Sequence, residues 1–110
     1  MSRLAAGLWV QAYLRRLQIE HVPAYVAAKG DPTAGAVIVK TATLDGRAVA
    51  KQRSFDPVTG ERVWMVLAEG SEADLDALLA RQRDRDRDLW IIEVESREGR
   101  DLLDQPGLRD

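Results

Sequence analysis

Few side chains in this sequence could do chemistry, and the densest group of them is basic. Lys40, Arg47, Lys51 and Arg53 flank Leu44-Asp45-Gly46, with Phe55 and Trp64 close behind. Asp45-Gly46 suits a two-residue type I′ hairpin, because both central positions need positive φ. Such a turn pairs Leu44 with Arg47 and fixes the register. Lys40 is then expected directly opposite Lys51, and Ile38 opposite Arg53. One face carries Ile38, Lys40, Ala42 and Leu44 against Arg47, Val49, Lys51, Arg53 and Phe55. The other face, with Val37, Val39, Thr41 and Thr43 against Ala48, Ala50, Gln52 and Ser54, has the small and β-branched residues that suit a core. Like charges held opposite one another are destabilising, so the basic face requires an anion. Glu61 or Glu69 on the next strand could supply it from within. An acidic protein partner, a second copy of the chain or a phosphate-bearing molecule could supply it from outside. The five-residue turn 56–60 leaves two registers open, and in one of them Trp64 joins this face and can stack on a cation.

The alternative chemistry is a cleft between the first helix and the sheet, using Glu20 and His21 with Arg53. His21 against Ser54 or Ser71 would be a nucleophilic arrangement, but neither serine sits in a strained G-x-S-x-G turn. At the end of a helix, His21 is explained more simply by its favourable interaction with the helix dipole. Gly30 to Gly35 has the outer spacing of a phosphate loop, yet Ala36-Val37 follows where Lys-Ser/Thr is needed. It reads as a plain connection. Glu93 and Glu95 share one face of a strand, about 7 Å apart, a spacing open to acid–base work or a hard cation. A wet sheet edge accounts for them equally well. With no cysteine and one histidine the chain offers no metal site, and no cofactor motif is present. These absences argue against an enzyme and leave no evident small-molecule substrate.

The elements that position these groups follow from periodicity. Val10, Tyr13, Leu14 and Leu17 recur at i, i+3, i+4 and i+7, the stripe of an amphipathic helix over residues 6–19, which Pro23 terminates. Residues 24–29 form a short strand, 36–43 and 47–55 a hairpin, and 62–68 a strand apolar on both faces, hence expected to be central. Ser71 with Asp74 three residues on caps a second helix carrying Leu75, Leu78 and Leu79. The alternating run Arg81 to Asp88 puts favourable charge pairs at i+3 and unfavourable ones at i+4, so that helix should fray near Asp86. Trp90, Ile92 and Val94 then occupy one face of a last strand. The expected fold is α+β, a mainly antiparallel five-stranded sheet with two helices packed on one face, in the order α-β-β-β-β-α-β. Residues 1–104 form a single domain, and residues 105–110 a flexible C-terminal tail.

At 110 residues the chain is one domain's worth of polypeptide, and its net charge of −2 lacks the broad positive field that nucleic-acid binding requires. No stretch approaches the roughly 20 apolar residues of a membrane span, and no secretory signal is evident, so a cytoplasmic location is expected. The segments Gly7-Leu8-Trp9-Val10-Gln11-Ala12-Tyr13-Leu14-Arg15-Arg16-Leu17, Ala34-Gly35-Ala36-Val37-Ile38-Val39-Lys40 with Leu44-Asp45-Gly46-Arg47, and Asp88-Leu89-Trp90-Ile91-Ile92-Glu93-Val94-Glu95 resemble domain-of-unknown-function family 1491. The resemblance spans most of the chain and implies a small soluble bacterial protein; it brings no catalytic residue, cofactor or partner. The residues themselves favour a non-enzymatic binding or adaptor module.

Overall fold

The computed structural model describes residues 4–108. Trp9, Val10, Tyr13 and Leu17 lie along one face of α1 (Ala6–Ile19) and are at most 2% exposed, so this stripe drives the helix onto a sheet. Its last turn closes on the His21 N–H to Gln18 C=O and Val22 N–H to Leu17 C=O bonds, a Schellman motif. His21 holds the left-handed position of that motif, at φ 60°. The first turn has no side-chain cap; instead the carbonyls of Thr33 and Pro32 accept from the Ala6 and Gly7 N–H groups.

The remaining elements are β1 (Ala24–Ala28), β2 (Val37–Ala42), β3 (Arg47–Phe55), β4 (Arg62–Ser71), α2 (Glu72–Arg85) and β5 (Trp90–Glu95). They make one five-stranded sheet ordered β1-β5-β2-β3-β4, in which only β2 and β5 pair in parallel. This is an α+β fold in the expected element order. Ser71 Oγ accepts from the Asp74 N–H, and α2 ends at Arg85.

Three features depart from the sequence reading. The helices cover opposite faces rather than one: α1 packs with Val37, Val39, Trp90, Ile92 and Val94, whereas Leu75 and Leu79 of α2 pack with Ile38, Ala48, Ala50 and Ile91. Neighbouring residues of β2 therefore feed two cores, and all of β2 is buried. Second, β5 inserts between β1 and β2 as an interior strand, whereas β4, expected to be central, is an edge strand paired only with β3 among the described residues. Met65 and Val66 of β4 are accordingly half exposed. Glu93 and Glu95 thus sit on an interior strand and not at an edge.

The third departure is the hairpin register. The Thr43 N–H donates to Arg47 C=O, leaving a three-residue loop with Leu44 at φ 63° and Gly46 at φ 88°. Asp45 explains the longer loop, since its Oδ1 accepts from both the Thr43 hydroxyl and the Arg47 N–H. Those bonds hold its carboxyl below the usual carboxylate range, the Thr43 hydroxyl contributing most. Lys40 consequently pairs with Ala50, and Lys51 with Val39. A slip of one residue moves every β3 side chain to the opposite face relative to β2. The expected opposition of Lys40 to Lys51, and of Ile38 to Arg53, does not occur.

Candidate functional site

Lys40 lies at the centre of the sheet on the α2 side and is 1% exposed. Its Nζ donates to Asp76 Oδ1 at 2.6 Å, Glu72 Oε1 at 3.0 Å and Glu93 Oε1 at 3.1 Å. Glu93 comes from the paired residue of β5, while Glu72 and Asp76 come from the first turns of α2. Burial would lower the lysine pKa, but three charge-assisted hydrogen bonds outweigh it and raise the ammonium above its ordinary range. A lysine so held is a fixed cation. The Glu93 carboxylate, ahead of a smaller effect of burial, also raises the Tyr25 phenol.

The other five residues proposed for the basic face do share a side. Arg47, Lys51, Arg53 and Phe55 alternate along β3, and Trp64 is the register partner of Arg53, which settles the register left open by the 56–60 turn. An extra residue in β4 opposite Ala50/Lys51 brings Trp64 onto that side. This is the α1 side, and its centre is filled from within. Lys51 Nζ meets Asp101 Oδ2 at 2.8 Å, and the Arg53 guanidinium stands 4.8 Å from the Trp9 ring and 5.1 Å from Trp64. Trp9 stacks on Tyr13 at 4.8 Å.

The C-terminal segment completes this side. The Leu108 carbonyl accepts from the indole N–H of both Trp9 and Trp64, at 3.2 and 3.3 Å, and the Tyr13 hydroxyl donates to the Asp101 carbonyl at 2.7 Å. Burial, and then the Asp101 charge, raise the Tyr13 phenol far above its ordinary value. Leu102, Leu103 and Leu108 are all at most 4% exposed. Leu108, in the stretch 105–110 expected to be a flexible tail, is thus buried in the α1 core, while Pro106 and Gly107 are exposed; residues 109 and 110 lie outside the described residues.

Both lysines are therefore neutralised internally, by acids other than the Glu61 and Glu69 anticipated. Asp101 carries no local signal that it would cross to β3. Glu72 and Asp76 do carry one, because they fall with Leu75 and Leu79 on the i, i+3, i+4, i+7 stripe that faces the sheet.

Beyond the last β2–β3 pair, Ile38 with Gln52, β3 and β4 continue as a two-stranded ribbon. The chain before β2 leaves that line because it is held elsewhere. Gly35 N–H donates to Asp31 C=O, and Trp90 bonds through its N–H to Ala36 C=O and through its indole to Asp31 C=O. Gly35 is required there, since a Cβ would lie 2.3 Å from the Asp88 carbonyl oxygen. The ribbon turns at Asp56, whose Oδ1 accepts from the Val58 and Thr59 N–H groups, and at Gly60 with φ 72°. It presents Phe55, 55% exposed, with the Arg62 guanidinium 6.0 Å from its ring, and Val58, 90% exposed, at the tip. Where ribbon and loop diverge, a notch of about 350 Å³ opens toward the C-terminal end of α2.

Glu20 and His21, expected to line a cleft between the first helix and the sheet, lie at the C-terminal end of α1. Glu20 Oε1 pairs with Arg100 Nη2 at 2.6 Å, exposed His21 serves the helix terminus, and Tyr13 and Leu17 fill the space between α1 and the sheet. Among the described residues no group of three or more His, Asp or Glu could hold a metal ion, and no helix is long and apolar enough to cross a membrane.

Residues 4–104 match the family described as "Protein of unknown function (DUF1491)". A crystal structure of a DUF1491 family protein from Caulobacter crescentus CB15 is 38% identical, with 94% of this chain and 95% of that one covered at a TM-score of 0.81. An NMR structure of a DUF1491 family protein from the same organism is also 38% identical, with 96% and 97% covered and a TM-score of 0.80. The solution structure of protein Atu0922 from A. tumefaciens is 30% identical, with 86% and 87% covered and a TM-score of 0.72. No functionally curated protein matches the chain.

Proposed function

The chain belongs to the DUF1491 family, and from its geometry we propose that it is a non-enzymatic binding module whose β3–β4 ribbon contacts an acidic protein partner. The observation that carries this reading is Phe55, an exposed aromatic ring on a ribbon with Arg53 on its own strand and Arg62 over its face. Aromatic and arginine side chains are the enriched anchors of protein interfaces, and guanidiniums suit carboxylates geometrically. Arg47 lies on the same side of β3, where Lys51 is already paired with Asp101. Lys40, buried among its three carboxylates, is not part of the surface. A non-enzymatic role fits a site in which Lys40 and Lys51 are already committed to ion pairs and His21 lies at a helix end.

The reading takes the protein to be bacterial, like its relatives, and to work in the cytoplasm, which cell fractionation checks. Titration of ¹⁵N-labelled protein with a glutamate-rich peptide tests the surface. Saturable shifts should centre on the ribbon, and Phe55→Ser or Arg62→Gln should weaken binding about tenfold, equivalent to about 1.4 kcal/mol. Wild-type affinity in both variants, or shifts confined to β1 and β5, would refute the ribbon as the contact.

A further inference from the structure

The two edges of the sheet are protected unequally. β1 is five residues long, follows Pro23 and shifts register between Val26 and Ala28, and short length, proline and a bulge each discourage pairing with another chain. β4 is ten residues long, and between Arg62 and Glu69 it carries neither a charge nor a proline. The Thr43 N–H to Arg47 C=O bond starts the β2–β3 ladder on an odd-numbered residue of β3, so Gln52 and Ser54 turn their N–H and C=O groups to β4. The Asp56 N–H to Glu61 C=O bond sets the same alternation from the other end. Met65 and Val63, the register partners of Gln52 and Ser54, therefore bond to β3, whereas Trp64 and Val66 direct their N–H and C=O groups to the open edge.

Met65 and Val66 are neighbours and so project to opposite faces, Met65 to the α2 side and Val66, the partner of Lys51, to the α1 side. Both are half exposed. A ligand resting on one face would cover one of them, and a strand added at the edge covers both. Antiparallel pairing with β4 of a second copy, about a two-fold axis at Met65, sets Trp64 of each copy opposite Val66 of the other. The outward N–H and C=O groups of these residues then make about four ladder hydrogen bonds. Met65 meets Met65 on one face and Val66 meets Trp64 on the other, so a single symmetry operation covers both half-exposed side chains and opposes no charges. The extra residue at Leu67 ends the regular ladder. We infer that the chain forms a two-fold dimer through β4, joining two five-stranded sheets into one. A ladder this short buries less than the roughly 1,600 Å² of a standard complex, which makes the dimer weak, with Kd about 0.1–1 mM. The dimer is independent of the acidic-partner reading, because Phe55 and the basic side chains take no part in it.

Sedimentation equilibrium of the full chain should show the mass rising from 12.3 kDa toward twice that value between about 0.05 and 1 mM. Over the same range amide exchange should slow at Trp64 and Val66 and stay slow throughout at Met65. Met65→Lys, half exposed and across from neutral Gln52, should keep wild-type urea stability, yet it sets like charges against each other at the axis and should weaken association at least about tenfold. Met65→Glu should do the same. An equimolar mixture of the two variants should associate again, since the axis then joins opposite charges. A chain that stays monomeric at about 1 mM, or a mass that climbs past two copies, would overturn the closed dimer. No recovery in the mixture, with both variants at wild-type stability, would overturn the register about Met65. Phe55→Ser should leave the dimer intact even where it abolishes peptide binding, which separates this interface from the ribbon surface.

Discussion

Replacing Lys40 by methionine removes an ammonium from beneath α2 while keeping most of its apolar stem. Three carboxylates that converge on Nζ at 2.6–3.1 Å are left without a counter-ion. Removing one partner of a buried ion pair typically costs about 3–5 kcal/mol. Here the lower end applies. Only Glu93 is well buried, at 19% side-chain exposure, whereas Glu72 and Asp76 are 40% and 57% exposed and shed much of the repulsion into water. A loss of about 3 kcal/mol is a large share of the 5–15 kcal/mol that holds a typical domain together, so the melting temperature should fall by about 10–20 °C. Urea denaturation followed by tryptophan fluorescence measures it, and an unchanged denaturant slope confirms that the same surface is exposed on unfolding. Lys40→Met/Glu93→Met should recover part of the loss, because the buried carboxylate goes with its partner. The pH dependence has a definite sign. Lys40 has a folded pKa raised above its ordinary 10.5, so its contribution is complete below pH 10.5 and is lost as pH rises beyond it. The gap between wild type and Lys40→Met should therefore be constant through neutral pH and narrow in strong alkali. A single-variant loss below about 0.5 kcal/mol would refute the view of Lys40 as a buried hub, since that is the scale of an ordinary surface substitution.

Three further outcomes are expected, each read by the same denaturation measurement. His21→Gly should stabilise the protein by about 0.5–1 kcal/mol, because glycine removes the strain of a left-handed residue at the end of α1 and returns only part of it as unfolded-state entropy. Gly35→Ala should cost about 3 kcal/mol, since the new methyl would lie 2.3 Å from the Asp88 oxygen and 2.8 Å from that of Asp31. Leu108→Ala should cost about 2–4 kcal/mol, whereas a tail free of the core would register no loss.

The elements of this chain were set locally and could be read locally. The i, i+3, i+7 stripe of α1, the stop at Pro23, the Ser71–Asp74 cap and the alternation of Trp90, Ile92 and Val94 each depend on residues a few positions apart. The same is true of the basic side of β3, where a period of two places Arg47, Lys51, Arg53 and Phe55 together whatever their neighbours do. Asp45-Gly46 also named the hairpin, but not its length. The extra loop residue depended on a carboxylate that could satisfy Thr43 and Arg47 together, and that one position sent Lys40 and Lys51 to opposite faces.

What tertiary structure alone decided was which distant groups meet. Lys40 finds Glu72 and Asp76 more than thirty residues on and Glu93 fifty-three residues on, and Lys51 finds Asp101. The insertion of β5 between β1 and β2, with α1 and α2 on opposite faces, is equally invisible to local patterning. A strand's side-chain period records that its faces are buried, not what buries them. That choice belongs to the whole chain, which must cover both faces of β2 and neutralise its buried ammonium in one arrangement.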